Sequence, residues 1–231
     1  GHRLQSGSWE IVEALRLHIA KSDGGSGNIN PHLAAAVQIS NAMPLSGSID
    51  EYIERHKDDT LKAVCAKLAI AKAILEAERK SSIFVDPMRR VDNPLRNSSN
   101  SWIAYVLRDI TRGKTLDELE TCFENLSIVN FNYDRCVEHF AYLWFQQMYD
   151  MAPEKAAGIV SRLRIFHPYG KLADLPHENS SAHIAFGGKI DAHRLLQMAQ
   201  SIRTYSESID SGSEILSVQD DLAAAKKVVL D

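Results

Sequence analysis

Cysteine is scarce in this chain and scattered where it occurs: Cys65, Cys122 and Cys136 form no C-x-x-C pair. That spacing excludes a four-cysteine zinc site and gives no basis for a disulfide framework, so a reducing, cytoplasmic setting is expected. No apolar run approaches the roughly 18 residues of a membrane span, and no apolar signal core follows the N-terminus. The Asn-x-Ser triplets at Asn97, Asn125 and Asn179 are then read as chance matches. Long blocks of one charge are missing too. The 26 basic and 30 acidic residues leave a formal net charge of −4, and no basic stripe offers itself to a phosphate backbone. Neither a membrane nor a nucleic acid is expected as a partner. Assembly with copies of itself is compatible with the composition but not specified by it. His177, His183 and His193 show no metal-ligand spacing, and no metal is expected.

What is present is helical punctuation. Ser8 precedes Trp9, Ile11, Val12, Leu15 and Ile19, a helical spacing closed by Gly24-Gly25. Pro31 opens a second helix, and the capping box Ser48-Ile49-Asp50-Glu51 a third. Leu61, Val64, Leu68, Ala71 and Leu75 mark the clearest helix, over residues 60–80. Residues 81–100, with Pro87, Pro94 and Arg89-Arg90, read as a long loop or lid. Ser101 caps a helix that ends at Gly113, and Thr115-Leu116-Asp117-Glu118 is a second capping box.

The pattern changes after residue 125. Leu126 to Val129 is too short for a helix and fits a buried strand, with 126–131 as its widest extent. After the polar turn, Val137, Phe140, Ala141, Trp144, Phe145 and Met148 make one aromatic stripe expected to lie buried against the sheet. Pro153 opens a helix through Leu163, and residues 164–167 form a second strand ending in His167-Pro168-Tyr169-Gly170. Helices over 191–202 and 214–226 and a strand from Val228 complete the reading. Strand alternating with helix predicts an α/β fold, Rossmann-like, with a mostly parallel sheet and a large helical subdomain. Residues 1–123 are expected to be the mainly helical part and 124–231 the α/β part of one structural domain. Gly1-His2 at the start and the strand-like Lys226 to Asp231 at the end suggest a fragment.

Ligands of open α/β sheets sit outside the carboxyl ends of the strands, which places Asn130, Asn132, Tyr133 and Asp134 at one strand end and His167 at the other. Helix capping by Asn and Asp is the plain alternative for the first group. Ile128-Val129-Asn130-Phe131-Asn132-Tyr133-Asp134 and Phe166-His167-Pro168-Tyr169-Gly170 resemble the sirtuin-like family of bacterial proteins, in which an Asn-x-Asp turn and a later His followed by Gly line a nicotinamide dinucleotide pocket. Shorter phrases such as Ser48-Ile49-Asp50, Lys67-Leu68-Ala69-Ile70 and Arg203-Thr204-Tyr205-Ser206-Glu207 extend the likeness over most of residues 48–207.

The resemblance implies NAD as substrate or ligand. It assigns Asn130, Asn132, Tyr133, Asp134, Tyr169 and Gly170 to binding, and Asn132 and His167 to catalysis, Asn132 holding a water and His167 contacting ribose or acting as base. The implied activity is hydrolysis of NAD to nicotinamide and ADP-ribose, in the complete protein, as in antiviral defence effectors of bacteria. A non-enzymatic NAD or ADP-ribose sensor, or an interaction domain with a vestigial cleft, is the alternative. Departures limit the implication: Phe131 replaces a Gln, Tyr169 stands where the family has its His, and no Gly-Ala-Gly-x-Ser phosphate cradle occurs. The four-cysteine zinc ribbon is absent as well, which argues against protein deacylation. Leu4-Gln5-Ser6-Gly7 resembles the segment that follows the cradle.

Overall fold

In a computed structural model of the chain, residues 8–22, 27–88, 93–178, 180–204, 206–208 and 213–229 are described. The fold is mixed α/β, mostly helical, with a small parallel sheet of two strands. Gly24-Gly25, Arg89-Arg90, Tyr205 and residues 4–7, all singled out from the sequence, lie outside the described residues.

The chain divides into two compact units, Gly1–Ile74 with Lys189–Ser211, and Leu75–Gly188 with Gly212–Asp231. In the first, α1 (Trp9–Ser22) packs on α8 (Ala192–Ser201), burying Leu15 and Ile19 from one and Leu195 and Met198 from the other. Helix α2 (Asn30–Ala42) carries Pro31 in its first turn. Helix α3 (Ile49–Arg55) begins at Ser48, whose hydroxyl accepts from the Glu51 amide at 3.0 Å. Its box is half made, because the Glu51 carboxylate turns to Arg55 instead. Helix α4 (Thr60–Lys80) spans the stretch its periodicity predicts.

The second unit has one core. Ile83, Leu95, Leu107, Leu119 and Phe123 share it with Phe140, Phe145, Ile159 and Phe186. Residues 75–123 therefore pack with the strand-bearing segment, and the compact units do not divide at 123/124. Helix α5 (Trp102–Thr111) starts at Ser101, whose hydroxyl accepts from Ala104, and gives way to Gly113 at φ 73°. The second capping box closes only a short 3-10 turn, Glu118–Thr121. The Glu118 carboxylate reaches back to the Thr115 amide and hydroxyl, and Leu119 is buried there.

Strands β1 (Ser127–Val129) and β2 (Arg164–Phe166) pair in parallel, Ile128 opposite Ile165, joined by α6 (Cys136–Tyr149) and α7 (Pro153–Val160). Both are shorter than the sequence suggests, because the flanking residues bond within turns. Helix α6 buries Val137, Phe140, Ala141, Trp144 and Phe145, but Met148 is 56% exposed, which corrects the expected stripe at its last turn. Asp150 ends this helix in the left-handed region at φ 49°. Helix α9 (Ser213–Ala224) sets Asp221 against the start of both strands, accepting from Ser127 and from Arg164. The strand expected from Val228 does not form in the described residues: Val228 and Val229 are exposed and irregular. Leu230 and Asp231 lie outside the described residues.

Candidate functional site

At the carboxyl end of β1 the ladder is extended by one bond, from the Asn130 amide to the Phe166 carbonyl at 2.8 Å. Asn130 then folds the chain over its own side chain. Its Oδ1 accepts from the Asn132 amide at 3.0 Å, an Asx turn, and its Nδ2 reaches the Asp134 carbonyl at 3.5 Å. The Asp134 carboxylate accepts from the Cys136 amide at 3.0 Å, satisfying a free N–H of the first turn of α6. Asn130 and Asp134 therefore spend side-chain oxygens on the turn itself. Phe131 and Asn132 are exposed, while Tyr133 is buried and its carbonyl accepts from Leu172 at 3.1 Å.

The end of β2 lies beside this turn. Pro168 restricts the backbone, and Gly170, at φ 83°, donates to the His167 carbonyl at 2.7 Å. Tyr169 is half-buried, its ring 5.9 Å from that of Phe131. His167 is 5% exposed, and its Nδ1 stands 3.3 Å from the Asn132 carbonyl oxygen. Asn132 and His167 are thus brought together through the backbone of one and the ring of the other. The second ring nitrogen points inward, 2.9 Å from a Glu138 carboxylate oxygen. Both ring nitrogens of His167 therefore face protein acceptors, a carbonyl on one side and a carboxylate on the other.

Beneath both turns lies a network of charge that the sequence reading did not single out. Arg135 is fully buried. Its Nε and Nη2 donate to the two oxygens of Glu78, at 3.0 and 2.6 Å, and its Nη1 donates to the Ile184 carbonyl at 2.6 Å. Glu78 also accepts from the Gly187 amide at 2.9 Å. A side chain on Gly187, at φ 58°, would stand 2.7 Å from the Arg79 Cα. Glu138 and Glu78 do carry a sequence signal: each occupies a buried helical face, Glu138 with Ala141 and Phe145 and Glu78 with Leu75 and Ala71. Arg135 precedes its helix and carries no such period.

Burial tends to raise the Glu138 carboxyl, but the hydrogen bond and charge of His167, its own backbone amide and the charge of Lys171 hold it below the ordinary range. Burial likewise holds the His139 imidazole down, at about 4. The thiols of Cys65 and Cys122 are raised by burial to about 11, so neither is a nucleophile at neutral pH. Among the described residues no group of three or more His, Cys, Asp and Glu is placed to hold a metal, and no helix is long and apolar enough to cross a membrane. No protein-family model, no curated protein and no solved structure matches the chain.

Proposed function

We propose that the turns following β1 and β2 receive a nicotinamide dinucleotide, and that the chemistry performed there is hydrolysis of the bond between nicotinamide and ribose. The observation that carries this reading is the meeting of the two turns at the carboxyl ends of adjacent parallel strands, with the His167 ring 3.3 Å from the Asn132 carbonyl. A Rossmann-like arrangement is the finer form of the fold that this reading requires. The parallel pair joined through α6 and α7 supports it.

The residues suit part of such a ligand. The exposed Asn132 amide can orient a water, and Tyr169 and Phe131 offer rings at the same edge. In the reaction the C1′–N bond breaks with its electron pair leaving on nicotinamide. Water adds to C1′ and a proton is released to solvent. The ribose passes through an oxocarbenium-like state, so positioning of the water by Asn132 carries more of the rate than does a strong base. Binding without turnover is the second reading, favoured by the engagement of both His167 nitrogens.

Titration calorimetry with NAD and with ADP-ribose, alongside chromatographic detection of nicotinamide, separates the readings. Weak binding with little turnover is expected of this chain and turnover of the complete protein, where Asn132→Ala should slow nicotinamide release by about a hundredfold. Binding without release selects the sensor, and no binding of either compound up to about 1 mM overturns both.

A further inference from the structure

We propose that Glu138 is a positioning residue that holds His167 as a fixed imidazolium, and that this buried pair clamps the Asn132 carbonyl and with it the ligand-facing turn. The clamp deepens the reading above as far as the ligand is concerned, whereas the charge state follows from the geometry alone. A carbonyl oxygen only accepts, so His167 Nδ1, 3.3 Å from it, must carry a hydrogen. The remaining proton lies either on Nε2 or on the Glu138 carboxyl 2.9 Å away.

The surroundings assign it to the ring. Glu138 is the third residue of α6, where unpaired amides and the helix dipole favour an anion. Lys171, from the loop after β2, adds positive charge on the Glu138 side. The other charged groups nearby are spoken for. Arg135 is matched by Glu78, Asp134 accepts from the Cys136 amide, and Lys171 also bonds Glu178 at 2.6 Å and Asp174 at 2.9 Å. His139 stacks on Phe186 and meets the Ile83 carbonyl, and His177 stacks on Tyr142, with burial pushing both rings toward the neutral form.

Glu138 Oε2 is buried with no hydrogen-bond partner, so the carboxylate is held chiefly through His167. A hydrogen on Nε2 is thus the donor that this buried carboxylate oxygen pair meets from a side chain. Such a ring supplies a rigid donor to the turn, where a neutral one would be free to change tautomer.

The test is nitrogen NMR of histidine-labelled protein from pH 5 to 9, with His167 assigned by the loss of its signals in His167→Gln. Both His167 nitrogens should show the protonated-imidazolium shifts at pH 7. In Glu138→Gln the carboxamide donates to Nε2, and the ring should become neutral with the hydrogen on Nδ1. A neutral wild-type ring at pH 7, or an imidazolium that survives Glu138→Gln, overturns the proposal, and the wild-type spectrum decides by itself if the variant does not fold. In calorimetry Glu138→Gln should bind NAD about tenfold more weakly, the scale of a lost supporting contact. Unchanged affinity in the variant overturns the clamp on the ligand turn. Absence of NAD binding by the wild-type chain removes the proposed function, while the spectra still decide the charge state.

Discussion

Arg135 is the largest of the fully buried side chains among the described residues, and it carries a full charge. Two oxygens of Glu78 and the carbonyls of Ile184, Ala173 and Ala185 replace the water it loses. Such a pair adds little over a well-packed apolar substitute, but breaking it strands a charge in the core. Glu78→Ala and Arg135→Met should each lower stability by about 3 to 5 kcal/mol, and the double variant by clearly less than their sum. Urea denaturation of all four proteins measures the difference. Strict additivity would show that the two side chains act independently, contrary to their bidentate contact. The sequence hides this pairing because its partners lie 57 and 49 residues apart along the chain, at separations local patterns do not reach.

Helix α6 shows which properties of an element are legible in its residues. Val137, Phe140, Trp144 and Phe145 are buried as their spacing requires, since one face of a helix meets one core. Met148 continues the same arithmetic and is exposed, while in the same turn Tyr149 packs against the core. Periodicity sets the direction of a side chain but not the extent of the surface it meets. Trp144→Ala should cost about 3 to 5 kcal/mol, whereas Met148→Ser should stay within about 0.5 kcal/mol of the parent chain in thermal melts. Equal costs at the two positions would contradict the burial described. The caps at Ser48 and Ser101 were legible for a related reason, being closed within three residues of chain. The strands were legible in place but not in length, since their ends are set by the Asn130 and Gly170 turns.

At the scale of the whole molecule, folding is linked to pH through a histidine outside the two turns. Burial holds the His139 imidazole at about 4, below its ordinary 6.5, so the folded chain binds fewer protons than the unfolded one between these values. The stability this group contributes is full above pH 6.5 and is lost as pH falls through the folded value, about 2 to 4 kcal/mol in all. His139→Gln should therefore follow a flatter stability curve from pH 7 to 4 than the parent in urea titrations. Parallel curves would show that the imidazole is not held neutral. The candidate site was legible as two turns and their order, because short polar phrases after apolar runs mark strand ends. What those turns rest on was not, because Arg135 precedes its helix without a period and meets groups from distant segments of the chain. Gly187 stands at the edge of that hidden network, its amide donating to buried Glu78 and its Cα pressed against the backbone of Arg79. Solvent deuterium reaches this hydrogen only when its bond to Glu78 opens, so its exchange in hydrogen–deuterium measurements should run slower than that of the exposed amides nearby.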